Sequence, residues 1–214
     1  MDGVIRPEVE ALLARLPALE ACRGSIAAAA AALIACYRGG GQVLLCGNGG
    51  SAADCGHIAG ELLKGFLRRR PLTEAQRQAF AAQGEEGAAL AARLQRGLPA
   101  IDLTAHGALL TAALNDIGGE DVFAQQVVAF GRPGDVLLGL STSGGAANVC
   151  NALRAARALG LTTIALTGQR GGAAAGLVDV AIRVPADETY LVQEYHLPVY
   201  HALCAAVEAA FFDQ

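Results

Sequence analysis

The sequence predicts an α/β fold, a doubly wound parallel sheet of five strands flanked by helices, with a helical insertion. Five short apolar runs recur along the chain, at residues 42–46, 100–104, 136–140, 162–167 and 178–184. A stretch that suits a helix follows each run, and this alternation is typical of a parallel sheet covered on both faces. The 214 residues are 53% hydrophobic and 17% charged, which excludes a disordered chain and allows a large core.

Helices are expected to open and close the chain. Two alanine-rich stretches, at about residues 7–20 and 24–38, suit helices, and a leucine stripe at helical spacing supports the first of them. The glycines at 39–41 end the second. A last helix is expected at about 189–211, where Pro198 should bend it because proline removes a backbone hydrogen bond.

One segment, residues 66–97, interrupts the alternation of strands and helices. It carries much of the charge of the chain, and its Leu, Ala and Phe spacing is helical. Thr73 and Gln76 have the spacing of a capping box, so a helix should begin there. Gly84 and Gly87 are expected to break the segment into two helices. We interpret it as a helical insertion at an edge of the sheet.

Charge and cysteine content narrow the class of protein. Sixteen basic and 20 acidic residues give a net charge of -4, unlike the basic footprint of a nucleic-acid binder. No apolar run reaches the roughly 18 residues that span a bilayer, and the N-terminus lacks the pattern of a signal peptide. Six scattered cysteines without a CxxC pair suit buried thiols in a reducing compartment. We expect a soluble, cytoplasmic, single domain over 1–214, with N-terminal helices in 1–40 and neither nucleic acid nor membrane as a partner.

Two loops lie where open parallel sheets bind ligands, at the carboxyl ends of strands. Residues 47–51 read GNGGS and residues 141–145 read STSGG, each between a strand and a helix. Glycines let the backbone approach a ligand, and the free N–H groups of a helix N-terminus, together with hydroxyls, suit a phosphate. The same residues also suit plain helix caps and tight turns. Neither loop has the dinucleotide or triphosphate pattern, so a phosphorylated small molecule is the expected ligand.

Polar side chains on apolar helices form a second candidate group. His57 and Glu61 are four residues apart and share a helix face. The last helix adds His201, with either Gln193 or Glu194 about two turns before it. Imidazole and carboxylate groups together offer acid–base chemistry or a site for a divalent metal. Helical spacing alone places Glu194 closer than Gln193 to the face of His201.

These motifs resemble those of the sugar isomerase (SIS) domain family, and most of all its phosphoheptose isomerases. The matching stretches, in family order, are GNGGSAADCGHIAGEL at 47–62, STSGGAANV at 141–149, LTG at 166–168, VDVAIRVP at 178–185 and QEYHLPVYH at 193–201. The resemblance covers nearly the whole chain outside the insertion and implies a flavodoxin-like sheet of five strands. It also implies a homotetramer with active sites at subunit interfaces. The implied reaction interconverts the phosphorylated seven-carbon sugars sedoheptulose 7-phosphate and D-glycero-D-manno-heptose 7-phosphate.

The resemblance also implies roles for individual residues. Glu61 and His201 would be the catalytic acid–base pair that moves a proton between two carbons through an enediol. One zinc ion per subunit would be bound by His57, Glu61, Gln193 and His201. The choice of Gln193 over Glu194 rests on the family resemblance alone. The implied substrate contacts are Asn48, Gly49, Gly50, Ser51, Glu61, Asn115, Asp116, Ser141, Thr142, Ser143 and Gln193.

Three departures from the family pattern keep alternatives open. Ala146 stands where the phosphate loop usually has its last serine, and Gly65 stands where an arginine usually follows the catalytic glutamate. Lys64 and Arg68 are nearby substitutes for that arginine. The insertion is expected to lie beside the site, as a lid or as a determinant of the substrate. The alternatives are an isomerase of another phosphosugar and a non-catalytic phosphosugar-binding, regulatory or scaffold protein, against which the zinc-binding quartet argues.

Overall fold

Five parallel strands form the sheet of this protein, whose structure, a computed structural model, describes residues 6–212. The strands are β1 (Val43–Cys46), β2 (Ala100–Asp102), β3 (Val136–Ser141), β4 (Thr162–Thr167) and β5 (Val180–Arg183). Their order is β2-β1-β3-β4-β5, and every pairing is parallel. The doubly wound sheet predicted from the five apolar runs is therefore confirmed, and its strand order reverses between β1 and β3.

Nine α-helices within residues 6–212 cover this sheet. They are α1 (Pro7–Arg15), α2 (Arg23–Arg38), α3 (Gly50–Leu63), α4 (Glu74–Ala81), α5 (Glu85–Ala91), α6 (Gly107–Asp116), α7 (Val122–Phe130), α8 (Ala147–Ala158) and α9 (Thr189–Phe212). Buried side chains of α1, α2, α3 and α9 form the core on one face, and those of α6, α7 and α8 form the core on the other. Successive residues of β1 alternate between the two cores, because side chains alternate across a strand.

The first helix is shorter than predicted. It ends at Arg15, and a 3-10 helix, Pro17–Cys22, leads into α2 where the sequence predicts a single helix over 7–20. Pro17 is the reason, since a residue that precedes proline is pushed out of the helical region. Leu16 accordingly has φ −129° and ψ 76°.

The alanine-rich helix α2 is a core helix. Together with the preceding 3-10 turn it forms the stretch Pro17–Arg38, which is long and apolar enough to cross a membrane by length and composition alone, although Glu20 and Arg23 interrupt it. It is the one such stretch between residues 6 and 212. Ile26 and Leu33 of this stretch are buried against the sheet and α9, as in a core helix.

The insertion contains a helical hairpin made of α4 and α5. The predicted capping box is present: the Thr73 hydroxyl accepts from the backbone N–H of Gln76, whose side chain accepts from the backbone N–H of Thr73. Gly84, at φ +86°, separates the helices as predicted. The expected break at Gly87 is wrong, because Gly87 lies inside α5. A Cβ there would overlap the carbonyl oxygen of Phe80, so this glycine lets α4 and α5 approach closely.

His196 on α9 should make the protein sensitive to acid. Its side chain is fully buried, and burial lowers its pKa from 6.5 to about 4 despite an opposing hydrogen bond to the Thr167 backbone. Between these two values only the unfolded chain takes up a proton, so the free energy of unfolding falls as the pH drops. We expect a loss of about 2–3 kcal/mol between pH 7.5 and pH 4.5 from this group.

Urea unfolding of the wild type and of His196→Leu at the two pH values measures this contribution. The variant should lose about 2–3 kcal/mol less than the wild type on acidification. Equal losses in the two proteins would show that His196 is not the sensitive group.

Candidate active site

The two predicted ligand loops lie side by side at the carboxyl ends of β1 and β3. These strands are neighbours at the point where the strand order reverses, which is where open α/β sheets bind ligands. Asn48 in the first loop and Asn148 in the first turn of α8 exchange two hydrogen bonds, with N···O distances of 2.8 and 3.0 Å. The amide pair joins the two loops. No sequence pattern points to Asn148, because its partner is 100 residues away.

Glycines in the first loop are required by its geometry. Gly49 has φ +56° and directly precedes α3, a conformation that favours glycine. A Cβ on Gly50 would overlap the side-chain amide of Gln193, so α9 and the first loop are in direct contact. Ser51 is buried in the first turn of α3. The loop therefore presents backbone and the Asn48 amide, while Gln193 covers it from α9.

The second loop packs against the loop that follows β4. Gly144 has φ +66°, and a Cβ on it would overlap the carbonyl group of Gly171. The backbone N–H of Gly168 donates to the carbonyl oxygen of Thr142 at 3.0 Å, and the Ser143 hydroxyl accepts from the N–H of Gly145 at 3.1 Å. Ser141, the last residue of β3, is buried. The arrangement leaves hydroxyl groups and the start of α8 as candidate anion-binding groups.

His57, Glu61 and His201 meet where α3 and α9 pack together. His57 Nε2 lies 3.2 Å from Glu61 Oε1 and 3.4 Å from His201 Nε2. The imidazole rings of the two histidines pack edge to face, with centroids 4.9 Å apart. Burial and the neighbouring His57 lower the pKa of His201, which Glu61 partly offsets. The cluster therefore combines a carboxylate with an imidazole that is neutral at neutral pH.

Tyr200 and Asp54 extend this cluster, although the sequence analysis does not select them. The Tyr200 hydroxyl lies 3.0 Å from His57 Nδ1 and donates to Asp54 Oδ1 at 3.2 Å. Since an ionised carboxylate only accepts, the tyrosine oxygen is left to accept a hydrogen bond from Nδ1–H of His57. His57 Nε2, on the other side of the ring, faces Glu61 and His201. Asp54 precedes His57 by three residues, so helical spacing was a usable signal.

Zinc can be assessed from the donor atoms of the cluster. No three or more His, Cys, Asp or Glu side chains in the described part of the chain converge as a ready-made metal site; of the three predicted here, His57 contacts both Glu61 and His201. Their donor types suit zinc.

Asn115 and Asp116, the predicted Asn–Asp pair, contact each other at the end of α6. They lie at the exposed end of α6, where the Asn115 side-chain amide donates to Asp116 Oδ1 at 2.8 Å. Helix α6 follows the edge strand β2 rather than a central strand. Their role as substrate contacts stays a prediction.

The space of the usual family arginine is occupied in this chain. A Cβ on Gly65 would overlap the Gln95 side chain, whose Oε1 accepts from the Gly65 N–H at 2.8 Å. Lys64 Nζ lies 3.7 Å from Glu61 Oε2, so Lys64 places a positive charge at the cluster. Arg68 forms ion pairs with Glu8 and Glu208. Lys64 is therefore a candidate substitute beside Glu61.

Comparisons with known proteins agree on one family. The model of the SIS domain family matches residues 7–96 and 77–168. The phosphoheptose isomerase of Shewanella sp. (strain ANA-3) is 39% identical over 208 residues, which cover 96% of this chain and 93% of that protein. The phosphoheptose isomerase of Roseiflexus sp. (strain RS-1) is 43% identical over 189 residues, covering 88% and 83%. The solved phosphoheptose isomerase of Neisseria gonorrhoeae has a TM-score of 0.72 and 36% identity, covering 92% of this chain and 93% of that one.

Proposed function

The chain belongs to the SIS domain family, among its phosphoheptose isomerases, and we propose from this that it interconverts sedoheptulose 7-phosphate and D-glycero-D-manno-heptose 7-phosphate. The observation that carries the proposal is the meeting of Glu61 and His201, from two different helices, at the imidazole of His57. A protein that only binds a phosphosugar has no need of such a cluster.

Aldose–ketose isomerisation moves one proton between adjacent carbons and one between their oxygens. Glu61 is the carboxylate that takes the proton from one carbon and returns it to the other through the enediol. His201, neutral because burial and His57 lower its pKa, carries the proton between the two oxygens. Lys64 Nζ, 3.7 Å from Glu61 Oε2, places a positive charge beside that carboxylate.

The phosphate is assigned to the second loop. Hydroxyls of Ser141, Thr142 and Ser143 and the free N–H groups at the start of α8 supply donors around one anion. Ala146 contributes no hydroxyl, and the loss of one donor to a charged group costs about 1.5–3 kcal/mol. The first loop, with Asn48, Gly49 and Gly50, lines the sugar.

A zinc ion, one per subunit, is a further part of the proposal. Its ligands would be His57, Glu61, Gln193 and His201, and it would polarise the substrate carbonyl. Zinc content after dialysis, measured by plasma mass spectrometry, tests this without reference to turnover. We expect about one zinc per chain in the wild type and a clear loss in His57→Ala. Equal content in both proteins would exclude this ligand set.

We also propose a homotetramer in the cytoplasm. Leu114 on α6 and Ile117 directly after that helix are half exposed beside Asn115 and Asp116, so a second subunit packed here would cover apolar surface and bring the Asn–Asp pair to a neighbouring site. The six cysteines are free and buried, as suits a reducing compartment. Light scattering on the purified protein should give the mass of four chains, and a monomer would contradict the assembly.

Turnover of sedoheptulose 7-phosphate, followed by NMR with and without added zinc, tests the reaction. Appearance of the aldoheptose phosphate is expected. Absence of product in both samples would contradict the proposal and favour a different phosphosugar, since Gln95 of the insertion fills the space of the family arginine beside Glu61. A thermal-shift series of phosphosugars would then identify the ligand.

Tyr200→Phe should lower turnover by about tenfold or more, because the group that orients His57 is lost. Asp54 also loses its hydrogen-bond donor, so the free energy of unfolding should fall by about 1–2 kcal/mol. Steady-state kinetics and urea unfolding measure the two effects. Tyr190→Phe, at an exposed position in the first turn of the same helix, is the control. Turnover equal to that of the control would remove Tyr200 from the mechanism.

A further inference from the structure

A fully buried ion pair lies between the two helices that carry the acid–base residues. Arg70 Nε lies 2.8 Å from Glu208 Oε1, and neither side chain is exposed to solvent. Removing two charges from water is costly. A pair of apolar residues of similar volume often gives a protein the same or greater stability, so the stability of the fold does not explain this ion pair. Both side chains also form hydrogen bonds to the main chain at and just after the end of α3.

Glu208 holds the chain that leaves α3. Its carboxylate accepts hydrogen bonds from the backbone N–H groups of Phe66 and Leu67 at 2.8 Å and of Arg68 at 3.1 Å. The Phe66 ring, fixed by this clamp, packs against the His201 imidazole with centroids 5.5 Å apart. Glu208 therefore determines what lies against one face of His201.

Arg70 holds the end of α3 itself. Its two terminal nitrogens donate to the carbonyl oxygens of Leu62 at 2.6 Å and Glu61 at 2.9 Å. Carbonyls in the last turn of a helix have no partner within the helix, and the planar guanidinium satisfies two of them at once. The main chain of Glu61 is thereby bonded to a side chain that Glu208 orients from α9.

We propose that Arg70 and Glu208 are positioning residues that set the placement of Glu61 relative to His201. A continuous path runs from α9 through Glu208 and Arg70 to the Glu61 backbone, and a second runs through Phe66 to His201. The inference rests on the proposed isomerase function. It adds two residues that contact no substrate.

Arg70→Lys tests the proposal, because lysine keeps the charge beside Glu208 and loses the fork that reaches two carbonyls. We expect kcat to fall at least about tenfold with KM within about threefold. Arg96→Lys is the matched control: Arg96 and Arg70 both stack on the Phe212 ring, at 4.8 and 4.9 Å, but Arg96 donates to the carbonyl oxygen of Pro71 and not to α3. Equal kcat in the two variants would overturn the proposal.

A readout without substrate separates this inference from the proposed function. The imidazole proton signals of His57 and His201 should shift in Arg70→Lys and stay in place in Arg96→Lys, with His106 as an internal reference. If the wild type fails to isomerise the heptose phosphate, the proposed function is wrong. The imidazole signals still show whether Arg70 positions the two histidines. Should Arg70→Lys not fold, the double variant Arg70→Met with Glu208→Gln keeps the volume and an acceptor, and unshifted imidazole signals in it would refute the proposal.

Discussion

Replacing Glu61 with glutamine is expected to lower the turnover of sedoheptulose 7-phosphate by about a thousandfold and to leave the fold intact. Glutamine has the shape of glutamate but cannot take a proton from carbon. Its side-chain oxygen can still contact His57, which lies 3.2 Å from Glu61 in the wild type. The loss should therefore appear in kcat, measured by NMR, with the thermal midpoint close to that of the wild type.

Glu194→Gln is the matched control for this experiment. Glu194 is an exposed carboxylate on α9, next in sequence to Gln193. The control removes the same charge from the protein, so it should retain wild-type turnover. Turnover at the wild-type rate in Glu61→Gln would exclude Glu61 as the carbon base.

Gly144→Ala should damage both stability and phosphate binding. Gly144 has φ +66°, and an added Cβ would overlap the carbonyl of Gly171, which belongs to the loop that supports the phosphate-binding residues. Strain in the left-handed region and displacement of the loop together should lower the free energy of unfolding by about 2–4 kcal/mol. The moved Ser143 hydroxyl and α8 N-terminus should raise KM by about tenfold or more.

Gly145→Ala is the control one residue further on. A Cβ there would meet only the Ser143 hydroxyl oxygen, at an ordinary contact distance of 3.6 Å. Urea unfolding and KM for the heptose phosphate should stay near the wild-type values. Equal effects of the two substitutions would show that the loop tolerates change and that the tight contact with Gly171 does not matter.

Patterns of neighbouring residues predicted the strands and the start of one helix. Apolar runs located all five strands, and the Thr73–Gln76 spacing located the start of α4. The same approach missed the effect of Pro17 on the first helix and expected Gly87 to break α5. In the second case the contact with Phe80 makes the glycine useful inside a helix, and spacing along the chain does not reveal that contact.

The site was predictable where its residues share a motif. His57 and Glu61 are four residues apart and lie on the same face of α3, and the two glycine-rich loops each follow a strand. The choice of Gln193 over Glu194 came from the family resemblance, and its role as a zinc ligand stays a prediction. Asn148 and Tyr200 bear on the site through partners about 100 and 143 residues distant in sequence, so no local signal pointed to them.

By itself the sequence determined the fold class, the order of the elements and the family, because periodicity and motif spacing are properties of neighbouring residues. Only the tertiary structure decided which side chains meet. The structure places Lys64 beside Glu61, puts the Gln95 side chain in the space of the family arginine, and pairs Arg70 with Glu208. Such contacts join separate helices and loops, and packing of the two cores around the sheet sets their distances.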